Sequence, residues 1–184
     1  MHKVAFTLVL PAFNEATRLE AAVDAARKAL RGVNFEIIIA EDGSTDGTAA
    51  IAARLSRTLP FVRHLHYDEK LGRGKALSNA FATARGSLVA YMDVDLATSP
   101  GHLKEMITAL KDNDVVTGSR YLTASSTRRS SLRLFLSKGF NCIIQLLLGS
   151  RVSDHQCGFK GFRREVAMTL CRQAREGHWF WDTE

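Results

Sequence analysis

Only three cysteines and three prolines occur in 184 residues, acidic side chains number 19 against 25 lysines and arginines, and no apolar run is long. Each shortage excludes something. Cys142, Cys157 and Cys171 are odd in number, widely spaced and without a Cys-x-x-Cys pair, so neither a disulfide framework nor a zinc knuckle is indicated and reduced, structural thiols are expected. Few prolines, with 46% hydrophobic and 24% charged residues, exclude a disordered or collagen-like chain. The longest charge-free stretch of the C-terminal half, Gly139 to Ser150, falls well short of the ~20 residues a spanning helix needs. The apolar run Val4 to Leu10 is followed by Pro11, Asn14 and Glu15 without a small-residue cleavage site, so it reads as a first strand and the default compartment is cytoplasmic.

The shortage of acid is local. Between Arg120 and Arg175 there are 11 Lys or Arg residues against Asp154 and Glu165 alone, a segment that should attract anions. No RNA- or DNA-binding motif accompanies it, and charge by itself gives only non-specific attraction, so nucleic acid is not an expected partner. The length fits one domain with a real core.

What is present in the first two-thirds is alternation. Apolar, β-branched runs at Val4–Leu10, Phe35–Ala40, Val62–His66, Leu88–Met92 and Asp114–Thr117 read as strands. Between them, alanine- and leucine-rich stretches at Glu15–Leu30, Thr48–Thr58, Gly74–Ala84 and Pro100–Lys111 have helical spacing. Strands alternating with helices predict an α/β fold with a parallel, helix-covered sheet. Thr123 to Ser131 reads as a surface loop, and Ser131 to Leu148 as a helix that packs under the sheet or lies on a membrane surface.

In an open parallel sheet the ligand lies beyond the carboxyl ends of the strands, and carboxylates collect there. Strand one ends in Leu10-Pro11-Ala12-Phe13-Asn14-Glu15, strand two in Ala40-Glu41-Asp42-Gly43-Ser44-Thr45-Asp46-Gly47-Thr48, and strand four in Asp93-Val94-Asp95. In extended geometry Asp93 and Asp95 would share one face and approach a hard cation, although such carboxylates also cap helices or line loops. Asp46 is assigned mainly to capping the next helix. His64 and His66 alternate on one face of a strand, but no nearby carboxylate or cysteine pattern completes a metal site. Gly72-Arg73-Gly74-Lys75 invites a phosphate-loop reading and fails it, with Glu69 at the first glycine position and Ala76 where Ser or Thr belongs. Lys75 is left as a diphosphate or structural contact.

Taken together, Pro-Ala-Phe-Asn-Glu, Glu-Asp-Gly-Ser-Thr-Asp-Gly-Thr, Gly-Arg-Gly-Lys-Ala, Asp-Val-Asp-Leu, Gly118-Ser119-Arg120-Tyr121 and Gln156-Cys157-Gly158-Phe159-Lys160 resemble the family-2 inverting glycosyltransferases. Within these, the chain is similar to the dolichyl- and polyprenyl-phosphate sugar synthases. The resemblance implies the GT-A fold, with a Rossmann-like, mostly parallel sheet, a UDP- or GDP-sugar donor, and Mg²⁺ or Mn²⁺. It places Pro11, Ala12, Phe13 and Glu15 at the nucleoside, Asp42 on the base, and Asp93 and Asp95 on the metal, with Val94 in place of the more usual alanine. It matches Arg120 to the family's Gly-Ser-Arg, and Arg133 with Ser137 to an Arg-x-x-x-Ser pattern that meets the acceptor phosphate; Arg120, Arg133 and Lys138 would bring that anion toward the donor.

The implied acceptor is dolichyl or polyprenyl phosphate, reached by peripheral contact at the cytoplasmic face of a membrane. The Asp154-x-Gln156-Cys157-Gly158-Phe159-Lys160 stretch puts glucose ahead of mannose. Residues 1–117 would form the nucleotide-sugar half and 118–184 the acceptor half of a catalytic domain that family members continue past Glu184. Two rivals stand at this point. One is transfer to a saccharide hydroxyl, with Asp182 as base; the other is a non-catalytic nucleotide-sugar or anionic-lipid binding module.

Overall fold

The computed structural model describes residues 4–119 and 154–174. Twelve elements of regular structure alternate along these residues. Strand β1 (Phe6–Ala12) is followed by α1 (Leu19–Ala29), β2 (Phe35–Asp42), α2 (Thr48–Thr58), β3 (Val62–Tyr67), α3 (Arg73–Thr83) and β4 (Leu88–Met92). A short 3₁₀ turn at Pro100–His102 leads into α4 (Leu103–Ala109) and β5 (Val115–Thr117). Strand β6 (Phe159–Arg163) and α5 (Arg164–Gln173) complete the described chain.

The six strands form one sheet in the order β3-β2-β1-β4-β6-β5. Strands β1 to β4 pair in parallel, as the alternation predicts. The pattern does not announce β6, which inserts between β4 and β5 antiparallel to both. Its five residues, Phe-Lys-Gly-Phe-Arg, are too short and too mixed to read as a strand unaided, and pairing on both sides supplies what local propensity lacks.

Period-two alternation decides the faces. Phe6, Leu8, Leu10, Ile37 and Ile39 point into a core closed by Leu19, Val23 and Leu30 near α1, Ala52 and Leu55 of α2, and Leu103 and Met106 of α4. Val9, Ile38, Ala40, Val89 and Tyr91 point the other way, against Leu77, Ala80 and Phe81 of α3 and Ala167 of α5. Helices on both faces explain why the strands read as nearly continuous apolar runs. Phe81 sits in the second core with its ring centroid 5.9 Å from Phe162 and 6.5 Å from Tyr91.

At the amino-terminal edge of the sheet one buried carboxylate ties four segments. Glu36 accepts from the Thr7 hydroxyl at 2.8 Å and the Arg85 backbone N–H at 2.7 Å, and pairs with Arg63 at 3.2 Å. Removing it strands the hydroxyl, the amide and part of a guanidinium charge in a dry site. Glu36→Ala is therefore expected to cost about 3 kcal/mol of stability, read by urea unfolding, with Glu36→Gln losing less. A change within ±0.5 kcal/mol would show that the cluster is idle.

No helix among the described residues is long and apolar enough to cross a membrane. Cys157 is buried and Cys171 partly so, both as free thiols, and burial pushes the Cys171 thiol upward, which keeps it inert. Cys142, the expected helix at Ser131–Leu148 and the loop before it lie outside the described residues, as do Arg120, Arg133, Ser137, Lys138 and Asp182.

Candidate active site

The carboxyl edge of the sheet is built by three loops that hold one another. After β1, Asn14 adopts a left-handed backbone (φ 56°), and its side-chain oxygen accepts from the Thr45 N–H at 2.9 Å. Its own N–H donates to the Ser44 hydroxyl at 3.0 Å. Glu15 N–H donates to Thr48 Oγ1 at 2.8 Å and Ala16 N–H to Asp46 at 3.2 Å. Asp46 also accepts from the Thr48 N–H at 2.9 Å, so it serves the start of α2 as expected and clamps the first loop as well. The Thr48 hydroxyl and these backbone donors hold its carboxyl below the usual range.

Asp42 closes the other face. Its two oxygens accept from the backbone N–H groups of Leu71 at 2.7 Å and Gly72 at 3.1 Å, immediately before α3. The turn after it requires glycine on two counts: Gly43 has φ 68°, and a Cβ there would stand 2.8 Å from the Lys70 backbone nitrogen. Asp42 is 4% exposed, and its carboxylate keeps acceptor capacity beyond these two bonds. Pro11 is half-buried and Ala12 buried at the end of β1, while Phe13 is 37% exposed with Lys70 Nζ 3.6 Å above its ring. Glu15 is half-buried and paired with Arg18 at 3.3 Å. Pro11, Ala12, Phe13, Glu15 and Asp42 thus lie around one edge, as the strand ends predict.

Asp93 follows the last residue of β4. The segment Asp93-Val94-Asp95 is a turn, closed by Leu96 N–H donating to the Asp93 carbonyl at 3.3 Å, so the extended geometry expected for the two carboxylates does not hold. The reason is local: β4 loses its β1 partner after Tyr91, and Val94 drops into the core at 3% exposure, leaving the two acids on the outer side of the turn. Asp95 is exposed and accepts from the Ala97 N–H at 2.9 Å. Asp93 accepts from Arg73 Nη2 at 2.6 Å, and that guanidinium lies 5.4 Å from the Tyr91 ring centroid.

Arg73 lies within the Gly-Arg-Gly-Lys stretch, where the sequence pattern does not distinguish it from its neighbours. Among the described residues it is a basic side chain paired with Asp93, whereas Lys75 is exposed on the first turn of α3. The available signal was its position as the first helical residue after a glycine at the sheet's carboxyl edge. Gly158, within the Gln-Cys-Gly-Phe-Lys motif, accepts from Asp93 N–H at 3.0 Å through its carbonyl, and a Cβ on it would overlap the Asp93 carboxylate. Behind it lie the buried Asp154, His155 and Lys160, with Lys160 Nζ donating to the His155 carbonyl at 2.5 Å. Burial and then the Lys160 charge push the His155 imidazole below its ordinary range.

The histidine pair does have a carboxylate beside it. Strand register sets Glu41 beside His66, so a carboxylate that sequence reasoning did not connect to the pair completes the cluster Glu41, His64 and His66. Glu41 is fully buried and lies 2.5 Å from His66 Nδ1; its other oxygen accepts from the Ser44 N–H at 2.5 Å. Burial alone would raise Glu41, but the Ser44 and His66 hydrogen bonds outweigh it and hold the carboxyl below its ordinary range. Bonding to Glu41 raises His66, whereas burial lowers His64.

The sequence profile of glycosyl transferase family 2 matches residues 7–171. The chain belongs to that family. Glycosyltransferase AglD of Haloferax volcanii is 42% identical over 98% of this chain and 30% of its own length. A dolichyl-phosphate beta-glucosyltransferase of Drosophila melanogaster is 31% identical over 97% of this chain and 60% of its own length. The chain thus spans between about a third and three-fifths of these curated relatives. Among solved structures, glucosyl-3-phosphoglycerate synthase from Mycobacterium tuberculosis in complex with UDP superposes with a TM-score of 0.65 at 22% identity, covering 88% of this chain and 57% of that one. A mannosyltransferase from Pyrobaculum calidifontis in complex with GDP-Man and Mn²⁺ superposes at 0.62 and 21% identity, covering 94% and 47%. This family-2 chain carries the GT-A fold, as the motif resemblance implied.

Proposed function

We propose that this family-2 chain carries the catalytic site of a metal-dependent inverting glycosyltransferase that moves a hexose from a nucleotide sugar, UDP-glucose ahead of GDP-mannose, to dolichyl or polyprenyl phosphate. The observation that carries the reading is the Asp93-Val94-Asp95 turn at the carboxyl edge, with a cation, Arg73, already drawn onto Asp93. Two hard carboxylates on one turn fit Mg²⁺ or Mn²⁺, whose remaining positions suit water and the donor's phosphate oxygens. Bound there, the ion would neutralise charge developing on the departing nucleoside diphosphate.

The chain's own residues do the rest. Pro11, Ala12, Phe13 and Glu15 would wall the nucleoside, and Asp42, held rigid by Leu71 and Gly72, would accept from the base. With a metal held by Asp93 and Asp95, Arg73 would turn from Asp93 to the diphosphate, and Lys75 would add charge on the same helix. The acceptor phosphate oxygen forms its bond to the anomeric carbon as the bond to the diphosphate breaks on the opposite face. A phosphate is already an anion, so Arg120, Arg133 and Ser137 would position it and no strong base is needed. The relatives named for dolichyl phosphate support that acceptor; a lipid-linked phosphate would be met by peripheral contact, which we place at the cytoplasmic face of a membrane.

The test is incubation with Mn²⁺, UDP-glucose or GDP-mannose, and a short-chain polyprenyl phosphate, with mass spectrometry after organic extraction. A metal-dependent hexosyl-phosphoprenol from UDP-glucose is expected. Product from GDP-mannose alone would overturn the sugar, and a water-soluble glycoside formed instead would overturn the acceptor.

A further inference from the structure

We infer that Glu41, His64 and His66 form a second metal site, for a zinc-class divalent ion, separate from the Asp93-Val94-Asp95 turn. The three side chains come from two neighbouring strands on the face of the sheet that also buries Ile37, Ile39 and Val62, opposite to the face toward which Asp42 closes on α3. One ligand atom from each lies within 4.8 Å of the other two. Two imidazoles and a carboxylate are a donor set suited to Zn²⁺ rather than to Mg²⁺ or Ca²⁺, which prefer oxygen throughout.

Three further observations point to an ion. Among the described residues His64 Nε2 is buried and without a hydrogen-bond partner, and it faces Glu41 Oε2 at 4.0 Å, too far for a bond between them. Ligands about 2.0–2.2 Å from a tetrahedral ion stand roughly 3.3 Å apart, so relative to Glu41 His64 would close from 4.0 Å and His66 would open from 2.5 Å, each by less than about an ångström. His66 is half-exposed and can make that adjustment. Its other nitrogen, Nε2, lies 3.3 Å from Asp68, the outer carboxylate that commonly orients a metal-bound imidazole. Glu41 is anchored too, because its Oε1 is held by the Ser44 N–H.

An ion here would pin β2, β3 and the Ser44 turn together. Since Ser44 in turn accepts from Asn14, it would brace the loop that carries Phe13 and Glu15. The role is structural support for the carboxyl edge, and it holds whether or not that edge transfers glucose.

The test uses the intact chain carrying Asp93→Asn and Asp95→Asn, which silences the hard-cation turn, titrated calorimetrically with Zn²⁺ and followed with Co²⁺ as a visible-absorption probe. One equivalent of Zn²⁺ should bind, Co²⁺ should give the d–d spectrum of a tetrahedral nitrogen- and oxygen-ligated ion, and Tm should rise by about 5 °C or more at hundredfold excess over Kd. His66→Ala, at a half-exposed position where folding is retained, should weaken Zn²⁺ at least 100-fold and remove the Tm gain. Asp68→Asn should weaken it by about 10-fold. Absence of Zn²⁺ binding, or binding equally tight in His66→Ala and His64→Gln, would overturn the inference.

Discussion

Gly158→Ala is expected to lower the proposed glycosyl transfer at least about 100-fold while the protein stays folded. The glycine carbonyl fixes the Asp93 backbone at 3.0 Å, and the added methyl would occupy the volume of the Asp93 carboxylate itself. Asp93 cannot retreat with its backbone, so its side chain must rotate away from the turn and from Arg73. A misplacement of about 1 Å at a reacting centre is enough to cost 10²-fold. The cost in stability should be smaller, about 1–3 kcal/mol, because Asp93 is 39% exposed and has solvent to turn into. Turnover and unfolding measured on the same preparation separate the two effects. A variant with near-wild-type turnover would show that the Asp93 carboxylate need not stand where it does.

The second large effect belongs to the carboxylates. Asp93→Asn with Asp95→Asn should reduce turnover by about 10³-fold or more, the scale on which loss of preorganised electrostatic stabilisation is felt. Asparagine keeps the acceptor that Asp95 offers to the Ala97 N–H, and the partly exposed Asp93–Arg73 pair contributes at most about 1 kcal/mol, so unfolding should barely change. The loss would then be one of charge, not of fold. Steady-state kinetics across a Mn²⁺ series checks it: the double variant should show little metal dependence at any concentration.

Much of this edge was legible because it depends on short-range patterns. The ends of α2 at Thr48 and Thr58, and of β4 at Leu88 and Met92, fall where the sequence puts them, and each strand end delivers its polar residues to one side. The misses share a cause, which is pairing between distant segments. Helical spacing suggests that α1 starts at Glu15, yet Thr48 and Asp46 capture the Glu15 and Ala16 amides and hold a turn there, so the helix begins at Leu19. The Asp93-Val94-Asp95 segment is a turn because burial of Val94 competes with extension. Glu41 meets His66 across 25 residues of chain, a contact set by strand register that no local motif records. Likewise β6 exists because two strands pair with it, and only that pairing shows that Gly158 rests on Asp93.

If the carboxyl edge binds a nucleotide sugar through a metal held by Asp93 and Asp95, donor binding must depend on both. Calorimetric titration of UDP-glucose into the wild-type chain and into the Asp93→Asn, Asp95→Asn variant, each with and without Mn²⁺, tests it most directly. Binding to the wild type that requires Mn²⁺, and its loss in the variant, is expected. Equal, metal-independent binding in both proteins would contradict it.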